Sequence, residues 1–231
     1  MPTDIAGNIA KVLSRIGQAA AQHSRDANDV TLMAVSKTHP AERVRAAAAA
    51  GIRHFGENYL QEALEKIIAL EDLPLCWHFI GPVQSNKTRQ IAEHFDWVHS
   101  VDRLKVAERL SAQRPAELPP LNICLQVNID GEATKSGVRP AELPALARAV
   151  SHLPRLHLRG LMAIPRRCDA FEEQRHVFGR LRALADVLRD ELALDTLSMG
   201  MSADLEAAVA EGATIVRIGS DIFGARALRS V

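Results

Sequence analysis

Cysteine is scarce in this chain. Cys76, Cys124 and Cys168 are the only three, an odd number at wide spacing with no Cys-x-x-Cys pair. That excludes a disulfide framework and points to reduced thiols in a cytoplasmic protein. Charge of one sign is lacking too: Lys+Arg and Asp+Glu both total 28, so the net charge is zero. There is no broad basic field for nucleic acid, although a local basic pocket is compatible with that balance. No stretch approaches about 18 uninterrupted apolar residues, which excludes a membrane-spanning helix. The N-terminal segment Met1 to Gln18 carries Asp4 and no continuous apolar run, unlike a signal peptide. The nine histidines form no His-x-His or His-Glu-x-x-His pattern, so no metal site is expected.

What is present is length and a regular alternation. The 231 residues, 47% of them hydrophobic, suffice for one large core. Residues 4–23 read as an amphipathic helix with Ile5, Ile9, Val12, Leu13 and Ile16 on one face. Short apolar runs then follow at Thr31–Val35, Arg53–Phe55, Trp77–Ile80, Trp97–Ser100, Asn122–Asn128, Leu158–Ala163, Thr196–Met199 and Thr214–Ile218. Helix-like runs lie between them at 41–50, 58–69, 86–94, 103–112, 141–152, 170–191 and 203–210, and Asp221 to Leu228 forms a short final segment. Eight strands alternating with helices predict an α/β fold, a single (β/α)8 TIM barrel with an extra N-terminal helix. No linker or low-complexity stretch divides the chain, so residues 1–231 are expected to form one domain. The rival, an open doubly wound sheet, often has a glycine-rich first turn. Here that turn is Ser36-Lys37-Thr38-His39-Pro40.

In such barrels chemistry sits at the mouth formed by the C-terminal strand ends. Lys37 ends the first apolar run, and partial burial there would favour its neutral amine as a Schiff-base nucleophile. At the eighth end, Arg217-Ile218-Gly219-Ser220-Asp221 offers a glycine, a hydroxyl and the N–H groups of a short helix. The seventh end, Ser198-Met199-Gly200-Met201-Ser202, adds hydroxyls next door. Barrels frequently hold phosphate between these two loops. Gly219 to Gly224 has the spacing of a P-loop start, but Ala225-Arg226 stands where Lys-Ser/Thr is required, which excludes an ATPase reading. His78 and His99 read as hydrogen-bonded core residues, and Cys76 and Cys124 as buried packing residues. Glu57 and Asp102 fit either acid/base groups or caps of the helices that follow. An amine facing a phosphate cup suits a small phosphorylated aldehyde, pyridoxal 5′-phosphate above all. A Schiff-base aldolase acting on sugar phosphates would use the same parts.

Several segments carry a resemblance. They are Met33-Ala34-Val35-Ser36-Lys37-Thr38, His54-Phe55-Gly56-Glu57-Asn58-Tyr59-Leu60-Gln61-Glu62 and Trp77-His78-Phe79-Ile80-Gly81-Pro82-Val83-Gln84-Ser85-Asn86-Lys87. Leu197 to Asp204 and Val216 to Gly224 complete them. Together they closely resemble the pyridoxal-phosphate homeostasis protein family, which looks like the barrel half of alanine racemase without its second domain. The resemblance implies that Lys37 holds pyridoxal phosphate as an internal aldimine. Ser202, Gly219 and Ser220 would match the family's phosphate-binding positions, the family often having Thr where this chain has Ser220. Arg217 would match the arginine facing the pyridine nitrogen, and Asn58 a mouth asparagine.

A guanidinium beside the ring nitrogen disfavours its protonation and weakens the ring as an electron sink. The tyrosine base that alanine racemase takes from its second domain has no counterpart, because the chain's single tyrosine is Tyr59, in the barrel half. The expectation is therefore a cofactor-binding protein of vitamin B6 homeostasis, with no catalytic residues and without robust catalysis. Apo-enzymes that depend on the cofactor would be its transient partners. The alternative is a pyridoxal-phosphate enzyme, such as a weak amino-acid racemase, with His78, His99, Tyr59 or a partner subunit as the base. The loop from Asn128 to Gly137 reads as a lid, with Lys135 as a second amine for hand-over. With no heptad seam, a monomer is expected.

Overall fold

The structure is a computed structural model that describes residues 3–132 and 135–224. Helix α1 (Ile5–Gln22) opens the chain, capped by Asp4, whose carboxylate accepts the Gly7 N–H at 2.9 Å. Its apolar stripe buries Ile5, Ile9, Val12 and Ile16. Leu13, expected on the same face, is instead 48% exposed, because it lies at the edge of the stripe.

Strands and helices then alternate: β1 (Thr31–Val35), α2 (Ala41–Ala49), β2 (His54–Glu57), α3 (Leu60–Ala69), β3 (Cys76–Phe79), α4 (Thr88–His94), β4 (Trp97–Val101) and α5 (Leu104–Gln113). They continue with β5 (Leu121–Gln126), α6 (Leu143–Ser151), β6 (Leu156–Met162), α7 (Phe171–Leu192), β7 (Thr196–Ser198), α8 (Leu205–Ala210), β8 (Ile215–Ile218) and α9 (Ser220–Phe223). Each strand pairs in parallel with the next, and β8 returns to β1 with Met33 opposite Arg217, closing the barrel. The eightfold α/β barrel with an added N-terminal helix is thus as expected.

Strand alternation builds two different layers. Phe55, Trp77, Phe79 and Val98 belong to the apolar core that lies under the helices. The residues between them face the barrel's interior. His99 on β4 reaches Ser198 on β7 at 2.8 Å, and those strands are not neighbours, so the contact crosses the lumen.

Some boundaries move. β5 ends at Gln126, two residues short of Asn128, because Asn128 leaves the ladder to organise the next loop. Its amide donates to the carbonyls of Glu132 (2.8 Å) and Lys135 (3.2 Å) and accepts from Gly131 N–H (3.1 Å). α3 begins at Leu60 rather than residue 58, since Tyr59 is extended. The final segment is helical only over Ser220–Phe223, and from Ala225 on it lies outside the described residues. None of the described helices is long and apolar enough to cross a membrane.

Candidate functional site

A cavity of about 290 Å³ opens at the C-terminal rim, and Lys37, Asn58, Ser202, Arg217, Gly219 and Ser220 all line it. The six come from the ends of β1, β2, β7 and β8, which the barrel brings to one side of the mouth.

Lys37 lies two residues past β1 and is half-buried. Both of its neighbours are tied down. The Ser36 hydroxyl donates to Glu57 Oε1 at 2.6 Å, and its carbonyl accepts from Lys66 Nζ at 2.7 Å. The Thr38 N–H donates to Glu62 Oε1 at 2.5 Å, and Thr38 sits at φ +67°, a left-handed conformation unusual for threonine. Lys66 Nζ also contacts Glu57 at 2.7 Å and Glu62 at 2.6 Å, so one buried ammonium holds the whole turn. Glu57 is fully buried at the end of β2, and burial raises its carboxyl pKa against the opposing pull of Lys66 and Ser36. It caps no helix.

The adjoining wall, on β8 beside β1 rather than across the mouth from Lys37, is a cup of small polar groups. The Ser202 and Ser220 hydroxyls stand 3.4 Å apart. A Cβ on Gly219 would come within 3.3 Å of the Val35 carbonyl oxygen, so glycine keeps this wall open. Gly200 turns the chain at φ +92°, where a Cβ would meet Ala208 at 2.5 Å. Arg15 of α1 clamps both sides: its guanidinium donates to Ser202 O (2.9 Å), Asp221 Oδ2 (2.7 Å) and Glu206 Oε1 (2.7 Å). Arg43 holds the far end of α9 through Phe223 O at 2.6 Å, and the buried His39 ring packs on Phe223 with centroids 5.0 Å apart. Sequence reasoning missed Arg15, Lys66, His39 and Arg43. Apart from the i,i+4 contacts of Lys66 with Glu62 and of Arg43 with His39, their partners lie far along the chain, where no local pattern reaches.

Arg217 is buried, donating to Ser198 Oγ (2.9 Å) and the Ala163 carbonyl (3.0 Å). Burial pushes its pKa down to about 10, which leaves it a cation at neutral pH, supported by the nearby Asp204 carboxylate. From Ser198 a file of rings runs down the lumen: His99, His78 and His54, each step 2.8 to 2.9 Å. Burial holds all three neutral, with Arg217 adding to the effect on His99, whose pKa falls to about 3. Asn58 carries a buried side-chain oxygen with no hydrogen-bond partner among the described residues.

The other candidates lie elsewhere. Tyr59 is 55% exposed, and neither His78 nor His99 lines the cavity. Asp102 pairs with Arg103 and makes no cap. Cys124 is buried, but Cys76 is only half-buried. Lys135 is held by Asp130 (3.1 Å) and Glu132 (3.2 Å) in the loop after β5; Ala133 and Thr134 of that loop lie outside the described residues.

A closed barrel with a lysine after its first strand and a serine–glycine cup at its last two defines a class. The sequence profile of the alanine racemase N-terminal domain matches residues 12–227, and the chain belongs to that family. It is 67% identical over 222 residues to the pyridoxal phosphate homeostasis protein of Pseudomonas aeruginosa, covering 96% of each chain. Its identity to the Escherichia coli K12 protein of the same name is 53% over 227 residues, covering 96% of this chain and 97% of that one. Among solved structures it resembles PipY of Synechococcus elongatus PCC7942 with PLP bound, at TM-score 0.83 and 42% identity, covering 96% of this chain and all of that one.

Proposed function

We propose that this protein binds pyridoxal 5′-phosphate through Lys37 and serves vitamin B6 homeostasis without robust catalysis. The observation that carries this reading is the convergence of an amine, a buried guanidinium and a two-hydroxyl cup on one cavity of vitamin size. The fit of the donor set supports it. Ser202, Ser220 and the open wall at Gly219 suit a phosphate. The orphaned Asn58 oxygen asks for a donor that a ligand would bring. When bound, the cofactor supplies an aldehyde for covalent capture and a conjugated ring that withdraws electrons.

The residues of this chain divide the remaining work. Lys37 supplies the capturing nitrogen, presented by the Ser36 and Thr38 anchors. Arg217, a cation fixed by Ser198 and Ala163, is the group that would face the ring nitrogen, where its charge would oppose protonation. Tyr59 on the surface, and His78 and His99 in the lumen, are not positioned on the cavity to move a substrate proton. Both features favour holding the cofactor over turning it on a substrate. Apo-enzymes that need the cofactor are the recipients in this reading, with Lys135 on the loop after β5 as the second amine.

Purified protein is expected to be yellow, and Lys37→Ala to lose the visible absorption. A colourless native protein that stays colourless when the cofactor is added refutes the reading. Exchange of amino-acid α-hydrogens in deuterated water at more than about 1 s⁻¹ would favour a racemase instead. Unchanged transfer kinetics in Lys135→Ala would remove that lysine from the hand-over.

A further inference from the structure

The floor of the barrel, at the opposite end from the cavity, gathers a second set of reactive side chains. His54 begins β2, and Cys76 and His78 lie one residue apart on β3, with His54 in register with Cys76. Period-two alternation sends all three into the lumen. Their ligand atoms lie within 4.8 Å of one another. His54 Nδ1 stands 2.9 Å, and Cys76 Sγ 3.3 Å, from the same atom, Nε2 of His78.

Hydrogen bonding accounts for part of that convergence, since the Cys76 thiol also bonds the Asp96 carboxylate. A neutral imidazole nitrogen offers one proton or one in-plane lone pair, so His78 Nε2 can serve one of these two partners well. An ion at the common point would serve all three. Tetrahedral zinc with bonds of about 2.0–2.1 Å to nitrogen and 2.3 Å to sulfur separates two nitrogens by about 3.3 Å, and nitrogen from sulfur by about 3.6 Å. The two pairs that share His78 Nε2 need to spread by only a few tenths of an ångström, and His54 and Cys76 already lie within 4.8 Å of each other.

We propose that His54 Nδ1, Cys76 Sγ and His78 Nε2 form a binding site for a zinc-class divalent transition metal ion on the barrel floor. Two imidazoles and a thiolate select such an ion over magnesium or calcium. The Cys76 thiol releases its proton to solvent as the metal–sulfur bond forms. The fourth position falls to water, beside Asp96, which bonds the Cys76 thiol and accepts the Trp77 N–H at 2.8 Å. Entry is open, since His54 and Cys76 are only half-buried. Behind the fully buried His78 a supporting shell is already built. Its Nδ1 lies 2.9 Å from His99 Nε2, and His99 lies 2.8 Å from the Ser198 hydroxyl. Metal on Nε2 puts the His78 proton on Nδ1, the donor that orients a ligating histidine. The site was invisible in the sequence because its ligands come from two strands without a familiar spacing. It does not depend on the cofactor reading.

The test is titration of untagged protein with Zn²⁺ by calorimetry, and with Co²⁺ by visible spectroscopy. One equivalent is expected to bind, with a thiolate-to-cobalt charge-transfer band, in the presence of excess Mg²⁺. Cys76→Ser should abolish the band and His54→Ala should weaken Zn²⁺ binding at least tenfold. Cys168→Ser, at a cysteine on the other side of the molecule's chain order, should change neither. Circular dichroism checks each fold, and His54→Ala decides if Cys76→Ser fails to fold. Absence of stoichiometric Zn²⁺ binding, or a cobalt band that survives in folded Cys76→Ser or binding unchanged in His54→Ala, overturns the proposal.

Discussion

Lys66 shows how one side chain outside the cavity governs one inside it. Its ammonium is buried, touches Glu57, Glu62 and the Ser36 carbonyl, and thereby fixes the turn that presents Lys37. Burying a charge is tolerable only with partners, and removing one partner of such a pair typically costs about 3–5 kcal/mol. Lys66→Met is therefore expected to lower the unfolding free energy by about that amount in urea melts. The double variant Lys66→Met/Glu57→Gln should recover part of the loss, because it leaves no bare carboxylate at the fully buried Glu57 position. A Lys66→Met protein as stable as the parent would mean the triad is solvated. The left-handed Thr38 beside Lys37 is the other residue-scale mark of a turn held by its surroundings.

Among the elements, α1 acts as a strap across the cup. Arg15 ties it to the β7 loop at Ser202, to α8 at Glu206 and to α9 at Asp221, four bonds that hold the two phosphate-side walls at a fixed separation. Charge-assisted bonds contribute about 1.5–3 kcal/mol each. Losing that preorganisation in Arg15→Ala is expected to weaken pyridoxal phosphate binding about tenfold in an absorbance titration. Secondary structure should remain, since the stripe Ile5, Ile9, Val12 and Ile16 still anchors the helix. Unchanged affinity would mean the cup stands without its strap. Gly200→Ala acts on the same loop from within. Its Cβ meets Ala208 in a left-handed turn, so a destabilisation of about 1–3 kcal/mol is expected from thermal or urea unfolding.

At the scale of the whole molecule, the lumen holds polar rings where apolar layers would be ordinary. The histidine file carries a pH dependence whose sign follows from burial. His54, His78 and His99 all have lowered ring pKa values in the fold, His99 down to about 3, whereas an unfolded chain titrates histidine near 6.5. Between about pH 6.5 and 3 the unfolded chain binds protons that the folded one refuses. The stabilising difference is complete above that window and is lost as pH falls through it. The melting temperature is expected to drop on acidification from pH 7 to 5. In His99→Gln the drop should be shallower, even if the variant melts lower at pH 7. A slope identical to the parent's would place the acid sensitivity in other groups.

The sequence by itself determined the βα count, the barrel class, and the placement of Lys37, Ser202 and the Arg217–Ser220 stretch at strand ends. Parallel strands of one barrel all finish on one rim, so a linear list of strand ends is already a list of mouth residues. It also marked His78 and His99 as hydrogen-bonded interior residues. What it left open is everything that depends on closure of the ring. Arg15 meets Glu206 across 191 positions, and His99 meets Ser198 across 99. Local periodicity reports which face a residue occupies, not which distant residue shares that face. The anchoring of Lys37 by Lys66, the orphaned Asn58 oxygen and the convergence on His78 were therefore decided only when eight strands closed in a fixed register, because only closure sets distances across the lumen.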